Sequence, residues 1–168
     1  MKRINLWLHL GPGKSGSTWL YNIAKRNKDI FSVPVIKETQ NFHISSEFQS
    51  RFYKKGIFDN GRIICDFSNT YFFNPLCLKN IKEFIKKNKL KFNVLCTTLL
   101  RCPIKRSVSH YKYMIASGDS NNVPFDNLLS YDPSILWRSK YEIHSSFIDQ
   151  IGLDSVNFIL EEQNNNSP

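Results

Sequence analysis

The sequence has no long apolar run, few acidic residues and no closely spaced cysteines, and each shortage removes a class of protein. No stretch approaches the roughly 18 apolar residues that a helix needs to cross a bilayer. The start, MKRINLWLHLGPG, mimics a secretory leader. Its apolar stretch is short, however, holds Asn5 and His9 and lacks a small-residue cleavage site, so it reads as a buried first strand. The four cysteines, Cys65, Cys77, Cys96 and Cys102, form no CxxC pair and have no His at zinc-finger spacing, which leaves no redox or zinc motif. Cys65 and Cys96 lie in apolar strand-like runs and read as small buried hydrophobes. This usage suits a reducing compartment, and a cytoplasmic protein is expected.

Acids are scarce beside bases. The 14 Asp and Glu stand against 23 Lys and Arg, a formal charge of +9. That excess favours anionic partners, whether nucleotides, sulfated or carboxylated sugars, nucleic acid or lipid head groups, and does not choose among them. At 168 residues, 41% of them hydrophobic, the chain can bury one real core but not two. We expect one domain over 1–162 and a disordered tail over 163–168, where QNNNSP has nothing to bury.

Apolar runs at 4–10, 62–66, 92–100 and 156–160 are short and rich in Ile, Leu, Val and Phe, as strands covered on both faces are. Between them, helical character marks 17–28, 45–55, 76–90, 103–117 and 133–151. Over 76–90, Leu78, Ile81, Phe84 and Ile85 share one face, and Lys79, Lys82, Lys86 and Lys89 fall largely elsewhere on a solvated side. SGDSNNVP at 117–124 reads as an exposed loop. Alternating strands and helices predict an α/β fold with a mainly parallel sheet of about four or five strands, flanked by helices, with ligands at the strand C-terminal ends.

The first strand runs into Gly-Pro-Gly-Lys-Ser-Gly-Ser-Thr-Trp, residues 11–19, which then opens a helix. Glycines allow close backbone approach, and free N–H groups at a helix start favour an anion. Ser15, Ser17 and Thr18 add hydroxyls and Lys14 a point charge. The nucleotide triphosphatase P-loop, GxxxxGK[ST], demands lysine directly after its second glycine, and here Ser17 holds that place. The shifted lysine, Lys14-Ser15-Gly16-Ser17-Thr18-Trp19, resembles the loop by which sulfotransferases grip the 5′-phosphosulfate of 3′-phosphoadenosine-5′-phosphosulfate (PAPS). A second run, Leu100-Arg101-Cys102-Pro103-Ile104-Lys105-Arg106-Ser107-Val108-Ser109-His110-Tyr111, is similar to the sulfotransferase signature Leu-Arg-x-Pro-x-x-Arg-x-x-Ser-x-Tyr. Arg101 and Ser109 then stand where that family holds the 3′-phosphate. An arginine fork and a serine hydroxyl suit a terminal phosphate. Arg106 reads equally as a surface cation or a cofactor contact, and His110 as packing or a substrate-side contact.

A third segment, Val35-Ile36-Lys37-Glu38-Thr39-Gln40-Asn41-Phe42, resembles the Lys-Glu-x-His-x-Phe stretch of Golgi and bacterial carbohydrate sulfotransferases, in which glutamate is the proposed base. By that resemblance Glu38 takes the acceptor's proton, Lys37 assists, and Lys14 steadies charge on the departing oxygen. Gln40 stands where the family often has His. Cys65-Asp66-Phe67-Ser68-Asn69-Thr70-Tyr71 is similar to an acidic-x-Ser-Pro-x-Tyr turn, which implies Asp66 and Ser68 in the acceptor pocket, with Asn69 in place of proline. The cofactor-binding set is therefore Gly13, Lys14, Ser15, Gly16, Ser17, Thr18, Trp19, Arg101 and Ser109, and the roles need no metal.

The resemblance covers residues 4–111 by motif and reaches Glu162 more loosely. The late glycine- and lysine-containing loop that usually closes over the nucleotide has no counterpart in this sequence. It implies a three-layer P-loop-like fold and sulfation of a carbohydrate hydroxyl with PAPS as donor. A kinase or triphosphatase with a degenerate phosphate loop is one rival. A non-catalytic basic module binding nucleotide, nucleic acid or glycan is the other, although nucleic acid is not the expected partner.

Overall fold

The first strand sets the frame. In β1 (Ile4–His9), Leu6 and Leu8 point to one face of the sheet and Trp7 and His9 to the other, as the alternation of an extended chain requires. In this computed structural model residues 2–58, 61–118, 123–127, 133–153 and 156–160 are described. The expected tail, the end of the domain at 161–162 and the centre of the 117–124 loop lie outside them.

β1 lies between β3 (Ile63–Asp66) and β4 (Phe92–Leu100), parallel to both, with Leu6 opposite Ile64 and Val94. β2 (Phe31–Ser32) extends the sheet beyond β3, and β5 (Val156–Leu160) extends it beyond β4. All pairings are parallel, in the order β2-β3-β1-β4-β5. The chain turns one way from β1 to build β2 and β3 and the other way to build β4 and β5. Loops on either side of that switch diverge and leave a crevice at the strand C-terminal ends.

Helices cover both faces. α1 (Ser17–Arg26) lays Leu20, Tyr21 and Ala24 over Trp7, Cys65 and Phe67. On the other face α2 (Pro75–Asn88) buries Cys77, Leu78, Ile81 and Phe84 against Leu6, Leu8 and Ile64. Asn74 starts α2 by accepting from the amides of Leu76 and Cys77, and Pro75 supplies a fixed φ at its first position. The architecture is α/β in three layers, the P-loop-like arrangement.

Two expected helices differ. Over 45–55 only a 3₁₀ turn forms, at Ser50–Phe52. Its backbone is satisfied at long range instead: the Phe52 carbonyl accepts from Val35 N–H, and Asn41 Oδ1 accepts from Gln49 N–H. Phe48, Tyr53 and Ile57 then enter the main core from irregular chain. The segment 133–151 is broken into α4 (Ser134–Trp137) and α5 (Tyr141–Ile151). The break is held by Arg106, on α3 (Pro103–Ser117), whose guanidinium donates to the Ile135 carbonyl and to Ser139 Oγ.

His9 is fully buried between these layers, and burial, with the charge of Lys37 second, lowers its pKa from 6.5 to about 4. The unfolded chain therefore binds the proton first, and acid favours unfolding between pH 6.5 and 4. Denaturant titrations across that window should show the wild type losing on the order of 3 kcal/mol more stability than His9→Gln. Parallel pH curves for the two proteins would remove His9 from the account.

Candidate active site

A cleft of about 530 Å³ opens at the strand C-terminal ends, walled by the loops after β1, β2, β3 and β4. The β1 loop is shaped by two glycines. A Cβ on Gly11 would lie 2.2 Å from the Asn69 carbonyl oxygen, and one on Gly16, where φ is +99°, would lie 2.8 Å from Leu99. Between them Lys14 adopts a left-handed φ of 68°, unusual for a residue with a side chain. Its ammonium sits 3.5 Å from the centre of the Tyr113 ring. Burial, then the nearby charge of Lys37, lowers the Lys14 pKa from its ordinary value.

Lys37 and Glu38 reach the same cleft from the other side. The Lys37 ammonium donates to Glu38 Oε1 at 2.5 Å and to Ser17 Oγ at 3.3 Å, joining the acidic segment to the start of α1. Glu38 is also gripped by Asn69, whose backbone N–H donates to Oε2 at 2.8 Å and whose side-chain amide donates to Oε1 at 2.9 Å. Both carboxylate oxygens are thus fixed, while the side chain stays 32% exposed toward the cleft. A fixed, accessible carboxylate is what a general base requires. Support for Glu38 comes from Asn69 rather than from position 40. Gln40 has a φ of 52° and lines the cleft.

From the β4 side come Arg101 and one face of α3. Arg106, Ser109, His110 and Tyr113 follow the i, i+3, i+4, i+7 spacing of a single helical stripe, and all four line the cleft. Arg106 is 1% exposed, which corrects the reading as a surface cation. Burial lowers its pKa from the ordinary arginine value. Its partners are neutral, a carbonyl and a hydroxyl, and no carboxylate pairs with it among the described residues. Arg138, beside α4, also lines the cleft and lies over the Phe73 ring. Among the described lining residues five cations, Lys14, Lys37, Arg101, Arg106 and Arg138, face one carboxylate, Glu38. A half-enclosed site with that imbalance is built for an anion of several charges.

Not every residue singled out in the sequence reaches this space. Gly13, Gly16, Ser17 and Thr18 line it. Ser15 is buried and Trp19 is 63% exposed; neither side chain lines the cleft. Asp66 and Ser68 are fully buried behind it. Asp66 Oδ1 accepts from Ser68 N–H and Oγ–H, and Oδ2 accepts from Asn41 Nδ2 and the Tyr71 hydroxyl, so this carboxylate pins a turn instead of lining a pocket. His43 is tied to Thr70 Oγ1 at 2.7 Å. Sequence reading missed Asn69, Tyr113 and Arg138. The helical spacing from Arg106 could have found Tyr113; the other two carried no signal in the motifs.

No protein-family model and no curated relative matches the sequence. Among solved structures, the crystal structure of a sulfotransferase from Alicyclobacillus acidocaldarius superposes with a TM-score of 0.64 at 21% sequence identity. The likeness covers 95% of this chain and 74% of that one. At that identity the likeness is one of architecture: the chain has a sulfotransferase fold, its cleft at the strand C-terminal ends.

Proposed function

We propose that the protein is a sulfotransferase that moves a sulfuryl group from PAPS to an acceptor hydroxyl, a carbohydrate in the favoured case, and releases adenosine 3′,5′-bisphosphate. The observation that carries this reading is the charge arrangement of the cleft, five cations around one clamped carboxylate. Arg106 gives the donor a test of fit: a buried guanidinium without a counter-ion among the described residues suits a polyanionic occupant.

In this reading the amides of the 13–18 loop and Lys14 hold the 5′ end of the nucleotide, and Arg101 with Ser109 holds the 3′-phosphate. Bound PAPS supplies an activated sulfuryl group, and the chain supplies position and charge. Glu38 receives the acceptor's proton. Lys37 and the two Asn69 donors keep its oxygens aimed at the cleft. Lys14, which lines the cleft, would offset charge developing on the departing oxygen. The carbohydrate preference rests on the likeness of the Lys37-Glu38 segment to carbohydrate enzymes. A cytoplasmic setting is part of this proposal, and the cysteine usage suits it.

Calorimetry should find adenosine 3′,5′-bisphosphate bound well ahead of 5′-AMP, with Arg101→Ala weakening binding by about 10- to 100-fold, the worth of a charge-assisted contact. Equal affinity for the two nucleotides would remove the 3′-phosphate role, and a preference for ATP would favour a kinase-like reading. With labelled PAPS and a panel of glycan acceptors, Lys14→Ala is expected to lower turnover far more than donor affinity. Matching losses would make Lys14 a binding residue only. Glu38→Gln should keep donor affinity and abolish transfer, because the amide preserves shape without a basic oxygen. Asn69→Ala should lower transfer less, by freeing the carboxylate to rotate. Retained transfer in Glu38→Gln would mean that the proton leaves by another route.

A further inference from the structure

A second cleft of about 530 Å³ opens beside the edge strand β2, between α1 and residues 53–57 with Arg62. Its rim carries Lys25, Lys28, Lys54, Lys55 and Arg62, and no carboxylate lines it among the described residues. The floor is apolar, from Phe31, Val33, Pro34 and Ile57. Val35, at its margin, is 72% exposed, and Ile36, next in the chain, is 59% exposed. Ile30, which leads into β2, is 54% exposed. Single exposed apolar residues need no explanation, but three beside a ring of cations form an amphipathic surface.

The chemistry of the cleft separates the anionic partners. A sugar chain needs neutral hydroxyl and amide groups to match its own, and here the two tyrosine hydroxyls are already committed. Tyr21 donates to the Pro34 carbonyl and Tyr53 to the Cys65 carbonyl. A nucleic acid strand needs open aromatic faces for its bases; Tyr53 is only 7% exposed, and the half-buried Phe31 and Tyr21 rings pack against Trp7 and Phe67. Cations around apolar residues that stand out into solvent instead match the boundary of a bilayer, where head-group phosphates lie above acyl chains.

We propose that this face docks onto an anionic lipid bilayer. The rim cations meet lipid phosphates, and Val35 and Ile36 enter the head-group boundary. The docking is independent of the nucleotide chemistry. Only its consequence, that the Lys37-Glu38 side of the active cleft would face acceptors held at the surface, rests on the proposed function.

Co-sedimentation with vesicles tests it. Vesicles of phosphatidylcholine with added phosphatidylglycerol should carry the protein down, and those of phosphatidylcholine alone should not. Free glycerol phosphate should fail to compete, which separates a surface from a soluble phosphate. Lys54→Glu with Lys55→Glu should lower partitioning by more than tenfold, since each cation near such a surface is worth about fivefold. Ile36→Trp should keep binding and shift its fluorescence to the blue on anionic vesicles only. Circular dichroism of the variants controls for folding, and calorimetry with adenosine 3′,5′-bisphosphate separates failure of docking from failure of the nucleotide reading. Equal partitioning onto neutral and anionic vesicles would overturn the proposal. So would an undiminished charge-reversed variant, or binding to dextran sulfate while vesicles leave the protein in solution.

Discussion

Asp66 ends β3 fully buried, and four donors share its two oxygens: the Ser68 amide and hydroxyl, the Asn41 amide and the Tyr71 hydroxyl. A buried carboxylate is costly unless its lone pairs are filled, so these donors are held firmly in place. Two of them lie on the turn after β3, one at the start of the 3₁₀ turn that follows it, and one on the irregular segment after β2. The network thereby locks two loops that have no strand pairing to align them. Asn69 sits in the locked turn and Glu38 in the locked segment, and the two hydrogen bonds between them follow from that alignment. Glu38 is thus positioned by a carboxylate that does not line the cleft.

The cleft itself departs from ordinary protein economy in the opposite sense. Like charges converge on Lys14 and Lys37, and Arg106 is buried without an acid among the described residues. An arrangement of this kind is unfavourable by itself, and an anion bound there would relieve it, so that occupancy would couple to stability through mass action. Arg106 spreads that coupling outward. The same guanidinium that faces the cleft also fastens the break between α4 and α5, so the occupant's charge and the packing of the α5 layer share one side chain.

What could be read from the sequence follows from where local signals were strong. Ile, Leu, Val and Phe runs marked four of the five strands. β2 was invisible because two residues, Phe31 and Ser32, leave no pattern. The helical character of 103–117 announced α3. The apolar residues near Phe48 suggested helix by spacing alone, but distant partners took their backbone hydrogen bonds instead. Around the site, the glycine turn and the position of Lys14 were legible because they depend on adjacent residues. Which side chains turn inward was not. Ser15, Asp66 and Ser68 are polar residues in the right loops, yet Ser15 is buried, and hydrogen bonds to Asn41 and Thr39 hold Asp66 and Ser68 away from the cleft. Asn69 was noted only as a missing proline, and its amides acquire meaning once the loops are brought together.

The left-handed backbone at Lys14 has an evolutionary implication. A side chain there costs about 1–2 kcal/mol relative to ordinary helical geometry, a cost that glycine would avoid. The position therefore sets local folding preference against retention of a cation. Lineages drifting without demand for the cation would be expected to replace it with glycine or asparagine, whereas lineages under that demand would keep the strained lysine. Residue 14 would thus act as a marker of selective history, separating working copies of this fold from those that have outlived their chemistry.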